Sequence, residues 1–236
     1  MNIIKNFDEK DASALKTIFI AVHGLSNSKN TYVFSHMEED LRKNGIGMIR
    51  FDLPGHGDRK KEKLTVEACL KSIREVEDYV RGFYRGPISL TGASFGAFLL
   101  LRYLDNNPRR YGSVILRAPA LYQYSIWRND SSDKGRDLII CLEQGKDAIH
   151  GGTEIAPSVL SDFFRYDIFK HLNIKEDVTL LYGTRDVTIS NDRIKELAKI
   201  KGWKLIPLDG ADHFCHRKED VEDILQIFLK IVSDKS

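Results

Sequence analysis

Gly92-Ala93-Ser94-Phe95-Gly96 stands between two runs of different character. Before it, Pro87-Ile88-Ser89-Leu90-Thr91 is apolar and partly β-branched, the composition of a buried strand. After it, Ala97-Phe98-Leu99-Leu100-Leu101-Arg102-Tyr103-Leu104 reads as a buried helix. A serine at such a strand-to-helix corner sits on a sharp turn that pushes its hydroxyl out of the sheet. Glycines on both sides remove the β-carbons that would clash as strand and helix close in. The amide of Phe95 then lies at a helix N-terminus, where negative charge is favoured. The competing interpretation is a strand end whose serine merely caps the next helix. A base and an acid further along the chain would decide between the two.

Outward from this corner, apolar β-rich runs alternate with helical patterns, the signature of a parallel sheet covered on both faces. Strands are expected at Thr17 to Val22, Ile46 to Phe51, Ile88 to Thr91, Ser113 to Arg117, Val178 to Tyr182 and Lys204 to Pro207, with Asn2 to Phe7 as a further edge strand. Val66, Cys69, Leu70, Ile73, Val76, Val80 and Phe83 recur at helical spacing behind a capping Thr65. Two later helices follow from Ile194, Leu197 and Ala198, and from Val221, Ile224, Leu225, Phe228 and Ile231. Residues 120–171 break the alternation: no strand is evident, and Tyr122, Tyr124, Trp127, Phe163, Phe164 and Tyr166 gather there. This segment is expected to form a small cap with one or two helices, placed where open sheets bind ligands.

The 236 residues fit one domain, residues 1–236, with 42% apolar and 30% charged side chains. A formal net charge of +2, with acidic and basic residues interspersed, argues against a nucleic-acid partner. Arg59-Lys60-Lys61 lies between Asp58 and Glu62 and reads as a solvated loop. No run is long enough for a membrane span, and the first residues lack the pattern of a secretory signal. Cys69, Cys141 and Cys215 are odd in number and far apart, as in reduced intracellular proteins. A cytoplasmic monomer or small homo-oligomer is expected. No phosphate-binding loop or dinucleotide fingerprint is present, so no cofactor is expected.

Reactive groups of open parallel sheets collect at the C-terminal ends of strands. Those ends here lead into His23-Gly24-Leu25-Ser26, Asp52-Leu53-Pro54-Gly55-His56-Gly57, Gly183-Thr184-Arg185-Asp186 and Asp209-Gly210-Ala211-Asp212-His213-Phe214. Together with Gly92 to Gly96, and in this order, they resemble the α/β-hydrolase superfamily over nearly the whole chain. The resemblance implies a three-layer fold, a mostly parallel sheet of about six or seven strands with helices on both faces. It also implies a serine hydrolase with Ser94 as nucleophile, His213 as base and Asp186 as acid. The backbone amides of Leu25 and Phe95 would form the oxyanion hole.

His216 competes with His213, and Asp212 with Asp186. A sequence neighbour seldom faces its own histidine, whereas Asp177 starts a strand at the wrong end. His23 would orient the oxyanion loop, while Asp52 and His56 would fix a tight turn. A zinc site on His213, Cys215 and His216 is conceivable but lacks a paired Cys-x-x-Cys, and no metal is expected. The short cap resembles cinnamoyl (feruloyl) esterases and monoacylglycerol-lipase-like enzymes. A carboxylesterase acting on small-molecule acyl or aryl esters is therefore expected, with an acyl-thioesterase or a non-catalytic small-molecule receptor as alternatives. Tyr122, Trp127, Phe163 and Phe214 are candidate substrate contacts. In the turn after Gly57 the family often has a serine, where this chain has Asp58-Arg59-Lys60.

Overall fold

Among the described residues nine strands follow one another: β1 (Ile3–Lys5), β2 (Thr17–Val22), β3 (Ile46–Phe51), β4 (Ile88–Ala93), β5 (Val114–Arg117), β6 (Ala148–His150), β7 (Thr153–Ile155), β8 (Val178–Gly183) and β9 (Lys204–Leu208). The computed structural model describes residues 2–107, 109–121, 123–128, 133–165, 169 and 173–235. Seven of the strands form one sheet in the order β1-β3-β2-β4-β5-β8-β9, and β6 pairs with β7 as a separate hairpin. Within the large sheet every pairing is parallel except that of β1 with β3. Ile20 stands level with Ile49 on one side and Leu90 on the other, at the centre of the sheet.

The period-two alternation of β2 divides the core. Ile18, Ile20 and Val22 face helices α2 (Val66–Phe83) and α3 (Phe95–Asp105), whereas Phe19 and Ala21 face α1 (Tyr32–Lys43) and the C-terminal helix. Between β8 and β9 runs α7 (Asn191–Lys201), and α8 (Lys218–Ser233) closes the chain, its Phe228 ring 4.9 Å from that of Phe19. Thr65 caps α2 as its position suggests, its hydroxyl accepting from the amide of Ala68 at 3.0 Å. Among the described residues, no helix is long and apolar enough to cross a membrane.

Between β5 and β8 the chain forms α4 (Gln123–Arg128), α5 (Asp133–Glu143), the β6–β7 hairpin and α6 (Ser158–Arg165). The hairpin corrects the expectation of a strandless segment. Its strands are three residues each, too short for alternation to register, but the turn had a signal. Gly151 and Gly152 both take positive φ (57° and 81°), the backbone that a two-residue hairpin turn requires. The hairpin binds the body of the sheet rather than standing apart. Leu64 donates to Glu154 O at 2.8 Å and accepts from Ala156 N at 3.1 Å, and the Thr153 hydroxyl donates to Gly55 O at 2.9 Å.

At the opposite end of α2, Glu77 is fully buried. Its carboxylate accepts from the hydroxyls of Tyr103 and Tyr111, both at 2.7 Å, from Arg81 Nε at 2.8 Å and from Arg109 Nη1 at 3.0 Å. Burial alone would raise its pKa, but these four donors hold it below the usual carboxylate range. The cluster ties α2 to α3 and to the loop entering β5. Glu77→Leu should lower unfolding free energy by about 2–4 kcal/mol, since it takes the acceptor from two tyrosine hydroxyls and from Arg81 Nε at once, while Arg109 keeps Asp78. Urea unfolding checks this, and a loss under 0.5 kcal/mol would show that the cluster is dispensable.

Candidate active site

Ser94 occupies the corner between β4 and α3 with φ 52° and ψ −119°, a backbone conformation that side-chain-bearing residues rarely adopt. Hydrogen bonds on both sides hold it there. Its amide donates to Arg117 O on β5 at 2.9 Å, and its carbonyl accepts from Phe98 at 3.0 Å and from Ala120 at 3.2 Å. The two glycines act as the sequence suggests. A β-carbon on Gly92 would lie 2.9 Å from the carbonyl carbon of Gly96, and one on Gly96 would lie 2.3 Å from Val22 O.

His213 lies on the loop after β9. Its Nδ1 is 2.7 Å from Asp186 Oδ2, on the loop after β8. The other Asp186 oxygen accepts from the amides of Thr188 at 2.8 Å and Ile189 at 2.9 Å. Burial pushes the Asp186 pKa up, but the bond from His213, its charge and the two amides outweigh it and leave the carboxylate below its usual range. Asp212 bonds the amides of Phe214 and Cys215, both at 2.9 Å, and so shapes the loop instead of facing the imidazole. His216 stacks on Phe214 at 5.4 Å and meets Tyr32 edge-on at 5.6 Å.

Ser94, His213, Leu25 and Phe214 line one cavity, with Asp186 behind His213. No hydrogen bond joins Ser94 Oγ and His213 Nε2, and such bonds often close only around substrate. The amides of Leu25 and Phe95 have no partner among the described residues. Of the aromatic candidates, Tyr122 lies outside the described residues. Trp127 and Phe163 do not line this cavity. Their rings pack against each other at 5.3 Å, and Phe163 meets Phe98 at 5.4 Å and Phe95 at 6.3 Å. They attach the segment after β5 to α3.

The loop carrying Leu25 is fixed by two buried histidines. His23 donates from Nδ1 to Gly24 O at 2.8 Å and accepts at Nε2 from Leu53 N at 3.0 Å. His56 accepts at Nε2 from Ser26 N at 3.0 Å, with Nδ1 donating to Pro54 O at 2.9 Å. These partners assign one neutral tautomer to each ring. Burial lowers both pKa values, that of His23 to about 4. Asp52 supports the same turn. It accepts from Lys29 N at 2.8 Å and Lys29 Nζ at 2.7 Å, and from Asp58 N at 3.0 Å.

Sequence reasoning passed over Arg117. Its signal was a charged residue ending the otherwise apolar strand Val114-Ile115-Leu116. Arg117 Nη1 donates to the backbone oxygen of His213, and to Cys215 Sγ at 3.3 Å.

A native pKa below the unfolded value means that unfolded His23 takes up a proton first as pH falls. Its stabilising contribution is therefore complete above pH 6.5 and is lost as pH falls towards about 4. The loss over that window is about 3 kcal/mol. Urea unfolding across this range should show it in the wild type and much less in His23→Gln; equal slopes would remove the assignment.

Residues 13–132, just over half of the chain, match the family described as serine aminopeptidase, S33. A monoglyceride lipase homolog of monkeypox virus is 28% identical over 108 residues, which make up 44% of this chain and only 38% of that protein. Among solved structures, Est1E from Butyrivibrio proteoclasticus with ferulic acid bound is similar with a TM-score of 0.78 at 17% identity, over 99% of this chain and 94% of its own. A monoacylglycerol lipase of Paleococcus ferrophilus gives 0.72 at 20% identity, over 100% and 99%. At these identities the structural likeness concerns the fold. Together with the family match, it makes this chain a member of the S33 serine aminopeptidase family, built on the α/β-hydrolase fold.

Proposed function

We propose that the protein is a carboxylesterase that cleaves small to medium acyl or aryl esters through an acyl-enzyme on Ser94. The observation that carries this is the shared cavity of Ser94 and His213, with Asp186 bonded behind the imidazole at 2.7 Å. A serine hydroxyl is a weak nucleophile at neutral pH and needs a base. His213 Nε2 takes the Ser94 proton as Oγ attacks the ester carbonyl, and Asp186 holds the ring in the tautomer that leaves Nε2 free. The charge that develops on the carbonyl oxygen falls to the amides of Leu25 and Phe95, which are fixed before the reaction. His213 then returns the proton to the departing alcohol, and water attacks the acyl-enzyme by the same route in reverse. The segment after β5 serves as the cap over this site. The three cysteines are unpaired, in keeping with a cytoplasmic enzyme.

The family's description suggests peptide substrates, but the cavity favours esters. An aminopeptidase must hold its substrate's α-ammonium, and a carboxylate is the natural partner. Among the described residues no Asp or Glu lines the cavity, whereas Arg117 does. The monoglyceride lipase homolog and the monoacylglycerol lipase fold relative point the same way.

A fluorophosphonate probe should label the wild type, and Ser94→Ala should abolish both labelling and p-nitrophenyl ester turnover. Undiminished turnover in that variant would end the serine mechanism. Asp186→Asn should lower kcat by about 10³–10⁴-fold by favouring the wrong tautomer, and Asp212→Asn by far less. A reversed order would move the acid to Asp212. Faster cleavage of aminoacyl p-nitroanilides than of esters would favour the peptidase.

A further inference from the structure

Arg117 lies at the C-terminal end of β5, one strand away from the nucleophile, with Ala93 level with it in the register. Its side chain shares a face with Ile115 and lines the cavity that Ser94 and His213 share. This cavity holds about 70 Å³, and Ile115, Leu181 and Phe228, all buried, are among its walls.

The guanidinium has only neutral partners. Nη1 meets the His213 carbonyl oxygen and the Cys215 sulfur, and burial pushes the Cys215 thiol pKa up, so that sulfur carries no charge to offset the guanidinium. Among the described residues no carboxylate pairs with Arg117. Asp186 and Asp212 are nearby, but both Asp186 oxygens and Asp212 Oδ1 are turned to His213 and to backbone amides, and neither residue lines the cavity. A half-buried cation in a narrow space, with apolar side chains among its walls, is costly unless an anion joins it. A guanidinium presents its donors in a fork that matches a carboxylate.

We propose that Arg117 binds a carboxylate on the substrate, so that the preferred substrates are esters with an acid group a few bonds from the scissile carbonyl. This rests on the assignment of Ser94 as nucleophile. One terminal nitrogen of Arg117 supports the His213 loop, and the rest of the guanidinium receives the acid. A neutral ester of equal length fills the same apolar walls but leaves the charge unmatched.

Two substrate pairs test this and separate the two ends of the ester. Monoethyl glutarate against ethyl valerate places the acid on the acyl side; 4-acetoxybutyrate against butyl acetate places it on the alcohol side. In at least one pair the charged member should have a kcat/KM about tenfold or more above its neutral partner, expressed mainly in KM. Arg117→Gln should bring that ratio to about one, and Arg117→Lys should retain part of it. Loss of support for His213 would slow both members of a pair equally, so the ratio does not register it. Equal values in both pairs, or a ratio that survives Arg117→Gln, overturns the proposal and leaves the serine mechanism standing. Calorimetry on Ser94→Ala separates the two in the other direction. Monoethyl glutarate or 4-acetoxybutyrate should bind that protein but not Ser94→Ala/Arg117→Gln, even if Ser94 proves inert towards every ester. Absence of binding for both compounds in Ser94→Ala would also overturn the proposal.

Discussion

A β-carbon on Gly96 would lie 2.3 Å from the carbonyl oxygen of Val22 and 2.4 Å from that of His23, and one on Gly183 would lie 2.4 Å from the carbonyl of Ala211. At both points, backbone presses on backbone at the C-terminal edge of the sheet. The first contact seats α3 against the end of β2, so the loop leaving β2 arrives beside Ser94 with Leu25 on it. The second brings the loop after β8 against the loop after β9, which lets Asp186 reach His213. Neither contact involves a catalytic side chain, yet both fix the spacing between the groups that would share the chemistry. The hydrogen bonds from Arg185 N to Ala211 O (2.9 Å) and from Thr184 N to Leu208 O (3.0 Å) fasten the second contact.

Charge is handled in two ways around this edge. His23 and His56 are neutral and act through the direction of their hydrogen bonds, each joining two backbone segments that no ladder connects. Lys29 and Asp52 are charged and almost wholly buried, but neither stands alone, because amides of the same turn complete the carboxylate's shell. A buried pair with satisfied geometry favours one arrangement of a loop more than it adds stability. Both devices are placed on the loops after β2 and β3, whose positions the sheet alone does not determine.

Much of this could be read in the sequence because it depends on local patterning. The strands were legible from β-branched runs, the α2 cap from Thr65, and the corner from its two glycines. The antiparallel pairing of β1 was not, since strand direction depends on long-range contacts. The β6–β7 hairpin escaped because three-residue strands carry no period, although Gly151-Gly152 marked its turn. At the site, the resemblance to the α/β-hydrolase superfamily, with its order of serine, acid and histidine, pointed to Ser94, Asp186 and His213 as candidates. The packing of Trp127 and Phe163 against α3 was hidden, because an aromatic side chain in an irregular segment looks alike whether it meets ligand or core. Arg117 escaped for the opposite reason: one charge at a strand end is common, and only the tertiary arrangement shows what surrounds it.

The β6–β7 hairpin also determines how freely the segment after β5 can change. A β-carbon on Gly151, at the hairpin's turn, would lie 2.3 Å from the Ser26 hydroxyl, while Thr153 and Glu154 are bonded to the loop after β3. These contacts belong to the hairpin itself and not to the helices on either side of it. Replacing the whole segment to obtain new selectivity would remove a support of the loop that carries Leu25. A transplant that keeps residues 148–156 and exchanges the flanking helices preserves it. The segment is thus two modules in one stretch of chain, one open to diversification and one bound to the machinery beneath.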